Sequence, residues 1–403
     1  MNTRVVVTGL GAVSPLGIGH QVFWDNICSG KNGIKDINHF DVSEFSVKKG
    51  GEINNFDINK YFDSKKNYSQ LSRTCQMALL ATDLASKDAK FLPNAYMKIG
   101  VCLGTTMGNQ SIIEDDLTNR LKGQNLRDNI NFYPNSNISS TVSKYLKANG
   151  PSITIPTACA AGNYAISYGA EMIKDGKVDI VYAGGADGLS RSCFALFQRL
   201  GAMSSDVCRP FDKNREGMMV SEGAGVLVLE SLESALKRGA NIYAEVIGHG
   251  LSCDAYHATA PHPEGLGAVL AMKNALKSAN LQADNISYIS AHGTGTKAND
   301  STESKALYTV FKELTDKIPV SSLKSMIGHT MGAASGLEAI SSVLAIKNNV
   351  IPPTINYKDQ DEDCIKNVVP NRKIKKEVNT VLSNSFAFGG NICSIILGDV
   401  KDG

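Results

Sequence analysis

Three short segments of this chain hold side chains that could do covalent chemistry. Pro156-Thr157-Ala158-Cys159-Ala160-Ala161-Gly162 places a cysteine between an extended run at residues 152–155 and the onset of a helical pattern. A strand that turns into a helix leaves the first N–H groups of that helix unpaired, with partial positive charge. Both effects favour thiolate over thiol and predict a pKa below the usual ~8.5. The small neighbours leave room for a carbonyl to approach. The plainer alternative is a buried structural thiol, the commonest fate of a cysteine. His292 lies in Ile289-Ser290-Ala291-His292-Gly293-Thr294-Gly295-Thr296, and His329 in Ile327-Gly328-His329-Thr330-Met331-Gly332. Glycines on these turns permit close backbone approach and positive φ. A lone histidine is usually structural. Two on glycine-lined turns, with a cysteine on a third, point to a nucleophile served by two imidazoles. His20, His39, His249, His257 and His262 lie in plainer surroundings and read as structural.

Such turns need strands and helices to fix them. Short β-branched runs predict strands at residues 4–8, 98–103, 179–183, 225–229, 242–247, 286–290, 318–322 and 380–383. Helical periodicity predicts helices at 69–87, 162–174, 266–279, 298–314 and 336–347. Strands spaced by helices indicate an α/β class with largely buried sheets. Residues 34–68, polar and rich in asparagine, read as a surface insertion. A soft boundary near residues 238–241 divides the chain into 1–240 and 241–403, with similar strand and helix content on each side. That fits a duplication, although residue matching does not reveal a repeat.

Composition narrows the classes. Of 403 residues, 42% are hydrophobic and 20% charged, an ordinary globular profile. A net charge of +2 gives no case for nucleic-acid binding. Nine cysteines, odd in number and without a C-x-x-C, read as reduced thiols in a cytoplasmic protein, and no ligand cluster suggests a metal. No apolar stretch reaches the ~18 residues of a spanning helix, and the N-terminus lacks the pattern of a signal peptide.

Six segments, taken in order, resemble the β-ketoacyl-[acyl-carrier-protein] synthases, specifically the elongating ketosynthases of type II fatty-acid and polyketide synthesis. They are VVVTGLGAVSPLG, TACAAG at Cys159, CRPFDKNREGMMVSEGAG, AHGTGT at His292, KSMIGHTMGAASG at His329 and SNSFAFGG. The resemblance covers essentially the whole chain. It implies a thiolase-like fold of two duplicated halves in α-β-α-β-α layers, and a homodimer. It implies that Cys159 is acylated and that His292 and His329 stabilise the enolate formed by decarboxylation of a malonyl thioester. Lys324 and Glu338 match positions that hold the histidines. The N–H groups of Cys159 and Phe388 match an oxyanion hole, with Phe388 also gating the thiol. Thr294 and Thr296 match positions that bind the pantetheine arm, and Met107, Phe197 and Phe386 match positions lining the acyl channel. Substrates would arrive on the phosphopantetheine of acyl carrier protein, with no other cofactor and no metal. An acidic carrier would meet a basic rim, for which Lys65, Lys66, Arg73, Arg209 and Lys213 are candidates.

The chain departs from the family pattern at Ala387, at Asn391-Ile392, at Lys297 and at Ala160-Ala161. None of these touches the Cys-His-His set. They bear on substrate and carrier choice, and point toward a dedicated biosynthetic pathway. Three rival readings remain, one of them a malonyl decarboxylase related to loading synthases, which usually replace the cysteine. A non-elongating partner subunit of the chain-length-factor type would resemble a synthase but lack the cysteine. A thiolase would use a second reactive cysteine, for which Cys393 is the candidate.

Overall fold

The computed structural model describes residues 3–91, 97–124, 131 and 133–400. Ten strands build one continuous mixed sheet. They are β1 (Val5–Ser14), β2 (Ile99–Gly104), β3 (Ser152–Ile155), β4 (Ile180–Asp187), β5 (Gly223–Ser231), β6 (Ala244–Cys253), β7 (Tyr288–Ser290), β8 (Val320–Ser321), β9 (Thr380–Phe386) and β10 (Asn391–Gly398). A two-residue spur, Gly17–Ile18, pairs with the end of β1. The order across the sheet is β8-β7-β9-β10-β6-β1-β5-β4-β2-β3.

Read outward from the centre, the two sides repeat. β1 pairs antiparallel with β5, β5 antiparallel with β4, β4 parallel with β2, and β2 parallel with β3. β6 pairs antiparallel with β10, β10 antiparallel with β9, β9 parallel with β7, and β7 parallel with β8. The sides join where β1 meets β6, Val6 opposite Glu245 and Val7 opposite Ala244. The helices Ala161–Lys174 and Ala334–Asn348 pack together between the two sides, and the second is buried on every face through Ile346. Arg73–Asp88 covers the outer face of one side and Leu266–Ser278 that of the other. The layers therefore run helix, sheet, helix, sheet, helix, as the resemblance implied.

β1 and β6 both run past the glycines that ended the predicted strands. Gly9 and Gly11 do not make a turn. A Cβ on them would come within 2.4 Å of the Ala85 carbonyl oxygen and 1.8 Å of that of Ala81. A Cβ on Gly248 or Gly250 would come as close to the Leu266–Ser278 helix and its end, 2.7 Å from the Ala279 nitrogen and 2.0 Å from the Ala271 oxygen respectively. These glycines let a helix sit directly on a strand. The last strand, β10, escaped the sequence reading, as did the helices His20–Cys28, Gln110–Leu121, Asn137–Leu146 and Arg191–Arg199. Residues 34–68 are also more than a surface insertion. Ile37 and Val47 are buried in the apolar cluster that contains Cys159, and Phe40 and Phe45 stack on Phe194.

The two sheet edges differ. At β8 the Val320 N–H donates to the Asn367 carbonyl at 3.0 Å and the Val369 N–H donates to Val320 at 2.9 Å, so chain segment 367–369 covers that edge. Among the described residues, no strand pairs with the outer side of β3.

Candidate active site

The functional side chains stand on turns at strand ends. After β3, the turn Ala158–Ala160 leads into the central helix Ala161–Lys174. Ala158 adopts φ 49°, the left-handed region a non-glycine residue seldom enters, and this throws Cys159 to the head of the helix. The thiol is almost wholly buried. That burial pushes the Cys159 thiol up to about 12, against the pull of the Lys324 ammonium. Burial thus opposes the lowering that the helix N-terminus favours, because desolvation disfavours a thiolate. The Thr106 hydroxyl lies near enough to the sulfur to favour its charged form, and it is buried with no hydrogen-bond partner among the described residues.

His292 follows β7. Its backbone is pinned by Glu303, whose carboxylate accepts the N–H of His292 at 2.9 Å and that of Gly293 at 2.8 Å. Burial raises the Glu303 carboxyl to about 7, while those two N–H groups and Asn384 draw it down. The Lys324 ammonium lies 3.3 Å from His292 Nδ1, donates to the His292 carbonyl at 2.7 Å, and donates to Glu338 Oε1 at 2.5 Å. An ammonium only donates, so Nδ1 accepts and the ring proton sits on Nε2. His329 reaches the same tautomer by another route: the Met331 N–H donates to its Nδ1 at 3.2 Å. The two rings lie 5.5 Å apart, edge to face at 82°. Burial, reinforced by Lys324, holds both imidazoles well below the ordinary histidine pKa, and each ring presents a neutral Nε2–H.

Cys159, His292 and His329 line one cavity of about 400 Å³. Thr294, Thr296, Phe197, Phe386 and Phe388 line it as well. The two threonine hydroxyls bond each other at 2.9 Å, and the rings of Phe197 and Phe388 lie 5.7 Å apart. Gly389 and Gly390, at φ 79° and 75°, give the Phe388 loop its tight bend, and Ala387 before them is extended. Lys324 and Glu338 stand behind His292, fully buried, and the second oxygen of Glu338 has no partner among the described residues. Met107 lies outside the cavity wall, in the apolar cluster shared by Cys159, Phe197 and Phe388. Cys393, the alternative second thiol, is buried in β10 beside Ser167 and does not line the cavity.

The rim candidates divide. Lys65, Lys66 and Lys213 are exposed. Arg73 is not a rim residue: its guanidinium grips buried Glu222 through two bonds of 2.6 Å and the Ile53 carbonyl at 2.9 Å. Two residues absent from the sequence reading belong near the site. One is Thr106. The other is Asp187, buried at the end of β4, whose carboxylate accepts the Thr105 hydroxyl and the N–H groups of Thr106, Met107 and Gly332 at 2.7–2.9 Å. An acid closing the apolar run of β4 was the available signal.

Comparison with known proteins agrees along the whole length. Residues 2–235 match the family described as "Beta-ketoacyl synthase, N-terminal domain", and residues 243–358 match its C-terminal domain. The 3-oxoacyl-[acyl-carrier-protein] synthase 2 of Synechocystis sp. is 40% identical over 400 residues, 96% of each chain. That of Coxiella burnetii is 39% identical over 411 residues, 99% of each chain. Among solved structures, the ishigamide ketosynthase/chain length factor superposes with a TM-score of 0.95 at 40% identity over 100% of both chains. A type II PKS ketosynthase in complex with its acyl-carrier protein and bound to the hexaketide superposes at 0.90, with 32% identity over 100% of both chains.

Proposed function

The chain belongs to the β-ketoacyl synthase family, and from that premise we propose that it extends acyl chains on acyl carrier protein by decarboxylative Claisen condensation through Cys159. One observation carries the reading: two neutral histidines, both with Nδ1 tied up and Nε2–H free to donate, share a cavity with a cysteine at the head of a helix.

In the first half-reaction the Cys159 sulfur attacks an acyl thioester, the acyl group moves to Cys159, and the carrier thiol leaves with the proton. The N–H groups of Cys159 and Phe388 stabilise the oxyanion, each such donor being worth ~3 kcal/mol. In the second, a malonyl thioester enters along Thr294 and Thr296. His292 and His329 donate to its carbonyl oxygen as carbon dioxide departs, so negative charge gathers where two Nε2–H groups already point. The enolate carbon attacks the acyl-enzyme, releasing a β-ketoacyl thioester two carbons longer, and the Cys159 thiolate regains a proton. Imidazoles held neutral suit this work as donors. Lys324 keeps them neutral, and Glu338 keeps Lys324 in place. The substrates of both half-reactions ride on the phosphopantetheine of the carrier. The presence of Cys159 in this cavity favours condensation over the role of a non-elongating partner subunit.

We further propose that residues 1–240 and 241–403 are the two halves of a duplicated unit, supported by the repeated strand order. The open edge of β3 supports a homodimer built through that strand. Nine unpaired cysteines, eight of them buried, favour a reducing cytoplasmic setting. No helix of the described residues is long and apolar enough to cross a membrane.

The test is intact-mass measurement after incubation with acyl carrier-protein thioesters of varied length, alongside Cys159→Ala, followed by malonyl carrier protein. Acylation that is lost in the variant and then passes to a product two carbons longer establishes the reading. A folded protein that no primer acylates ends it.

A further inference from the structure

We infer that Asp187 is a positioning residue of the condensing site, its carboxylate holding the turn that faces Cys159 and the turn that presents His329 in one fixed register. The inference rests on the roles proposed above for those two residues. Oδ1 of Asp187 accepts the Thr105 hydroxyl at 2.7 Å and the Met107 N–H at 2.9 Å. Oδ2 accepts the N–H of Thr106 and that of Gly332, each at 2.7 Å. The Thr105 hydroxyl itself accepts the Gly108 N–H at 3.0 Å, so its proton is committed to Asp187. With the Gly108 N–H at 3.3 Å from Oδ1, five donors converge on the two oxygens and, among the described residues, no acceptor faces them, which is the environment of an ionised carboxylate. Burial nonetheless raises its pKa, so the charge depends on those donors.

What it ties together matters more than the ion itself. On one side stands Thr106, whose unpartnered buried hydroxyl lies near the Cys159 sulfur, followed by Met107 in the apolar cluster that contains Cys159. On the other stands Gly332, next to Met331, whose N–H fixes His329 Nδ1. The anchor between them is rigid, because β4 pairs with β2 on one side and β5 on the other, Asp187 opposite Gly223. Gly332 is glycine for the same reason: a Cβ there would lie 2.7 Å from Asp187 Oδ2 and 2.6 Å from the Thr105 Cα. Nucleophile and enolate-stabilising donor thus hang from one carboxylate, and small displacements of such groups cost rate steeply.

The charges and titratable groups facing Cys159 are Lys324, His292, His329, Asp187 and, from the helix Arg191–Arg199, Cys193. Of these, Lys324 favours the thiolate and Asp187 opposes it. Removing the Asp187 charge is expected to make the thiol more acidic, which reports the carboxylate's charge at the sulfur, while a fall in kcat at unchanged KM reports its positioning of the two turns. Asp187→Asn keeps the shape but sets an amide N–H₂ against N–H donors. It is expected to lower kcat for condensation by roughly tenfold or more with little change in KM for the carrier substrates. It should also move the pH profile of Cys159 alkylation by iodoacetamide to lower pH. Asp187→Glu retains the charge and should leave that profile near its wild-type position while lowering kcat. An unchanged kcat or an unshifted profile in a folded Asp187→Asn overturns the inference. Should that variant not fold, Thr105→Val removes a single donor; a kcat drop of about threefold at an unchanged melting temperature supports the inference, and an unchanged kcat overturns it. Alkylation needs no carrier protein, so wild-type enzyme that alkylates but never condenses counts against the proposed reaction and not against Asp187.

Discussion

Two turns lead into the two central helices, and their backbones match residue for residue. In one, Thr157-Ala158-Cys159-Ala160-Ala161 runs into Ala161–Lys174; in the other, Thr330-Met331-Gly332-Ala333-Ala334 runs into Ala334–Asn348. Ala158 and Met331 sit at φ 49° and 53°, and each is followed by a short tight turn. Yet the chemistry leaves the two turns at different places. The first presents its reactive group from the head of the helix, as Cys159. In the second that position is Gly332, filled against by Asp187 and Thr105, and the reactive group is His329, one residue before the shared threonine, where the first turn has Pro156. One backbone device therefore serves two tasks. The head of a helix suits a group that must become an anion; the strand side suits a ring whose inner nitrogen the next turn's N–H can hold.

The sharpest way to break that division is Cys159→Ala. Acyl-enzyme should vanish from the mass spectrum, and condensation should fall by at least about 10³-fold. His292→Ala and His329→Ala should each lower condensation by roughly 10²- to 10³-fold while acyl-enzyme still forms. Loss of acylation on their removal would merge the two tasks into one. Next in size is a pH effect. With the thiol raised to about 12, it stays protonated through neutral pH, so iodoacetamide labelling of Cys159 should rise about tenfold per pH unit between 7 and 10 without a plateau. A plateau near 8 would restore the lowered pKa expected from the helix N-terminus. In the same experiment both histidines, held well below their ordinary value, should keep the condensation rate free of an acid limb near pH 6.5. The smallest effects test the turns as backbone. Gly332→Ala meets Asp187 and Thr105 and should cost about 1–3 kcal/mol by thermal or denaturant unfolding. Ala158→Gly relieves a left-handed alanine and should shift stability the other way by up to about 1 kcal/mol.

That Cys159, His292 and His329 would share one cavity was legible because they stand at strand ends beside glycines, where sequence places unusual chemistry in view. The layer order was legible through the resemblance. The strands were found where β-branched residues cluster, but β1 and β6 were cut short, since a glycine inside a strand looks the same in sequence as a glycine that ends one. Only the helix lying against Gly9, Gly11, Gly248 and Gly250 tells them apart. The match between the two turns escaped residue comparison because three identical small residues are a weak signal, and the informative positions, Cys159 with Gly332 and Pro156 with His329, are the ones that differ. Asp187 left only a faint trace, an acid closing an apolar run. What makes it notable, the backbone N–H groups and the Thr105 hydroxyl that converge on it from about 80 and 145 residues away, no local pattern records. For the Cys159 thiol, sequence shows the helix head that favours the thiolate but not the burial that opposes it.

The unequal sheet edges carry a consequence for assembly. Every chain offers one bare row of backbone donors and acceptors, along β3, while the far row along β8 is already occupied by the chain's own segment 367–369. In the homodimer proposed above, each copy satisfies the bare row of the other, and among the described residues neither has a second row of this sheet to offer a third. A sheet with two bare rows would grow into a fibre; a sheet with one is finished after a single addition, so the proposed contact and a count of two are the same feature.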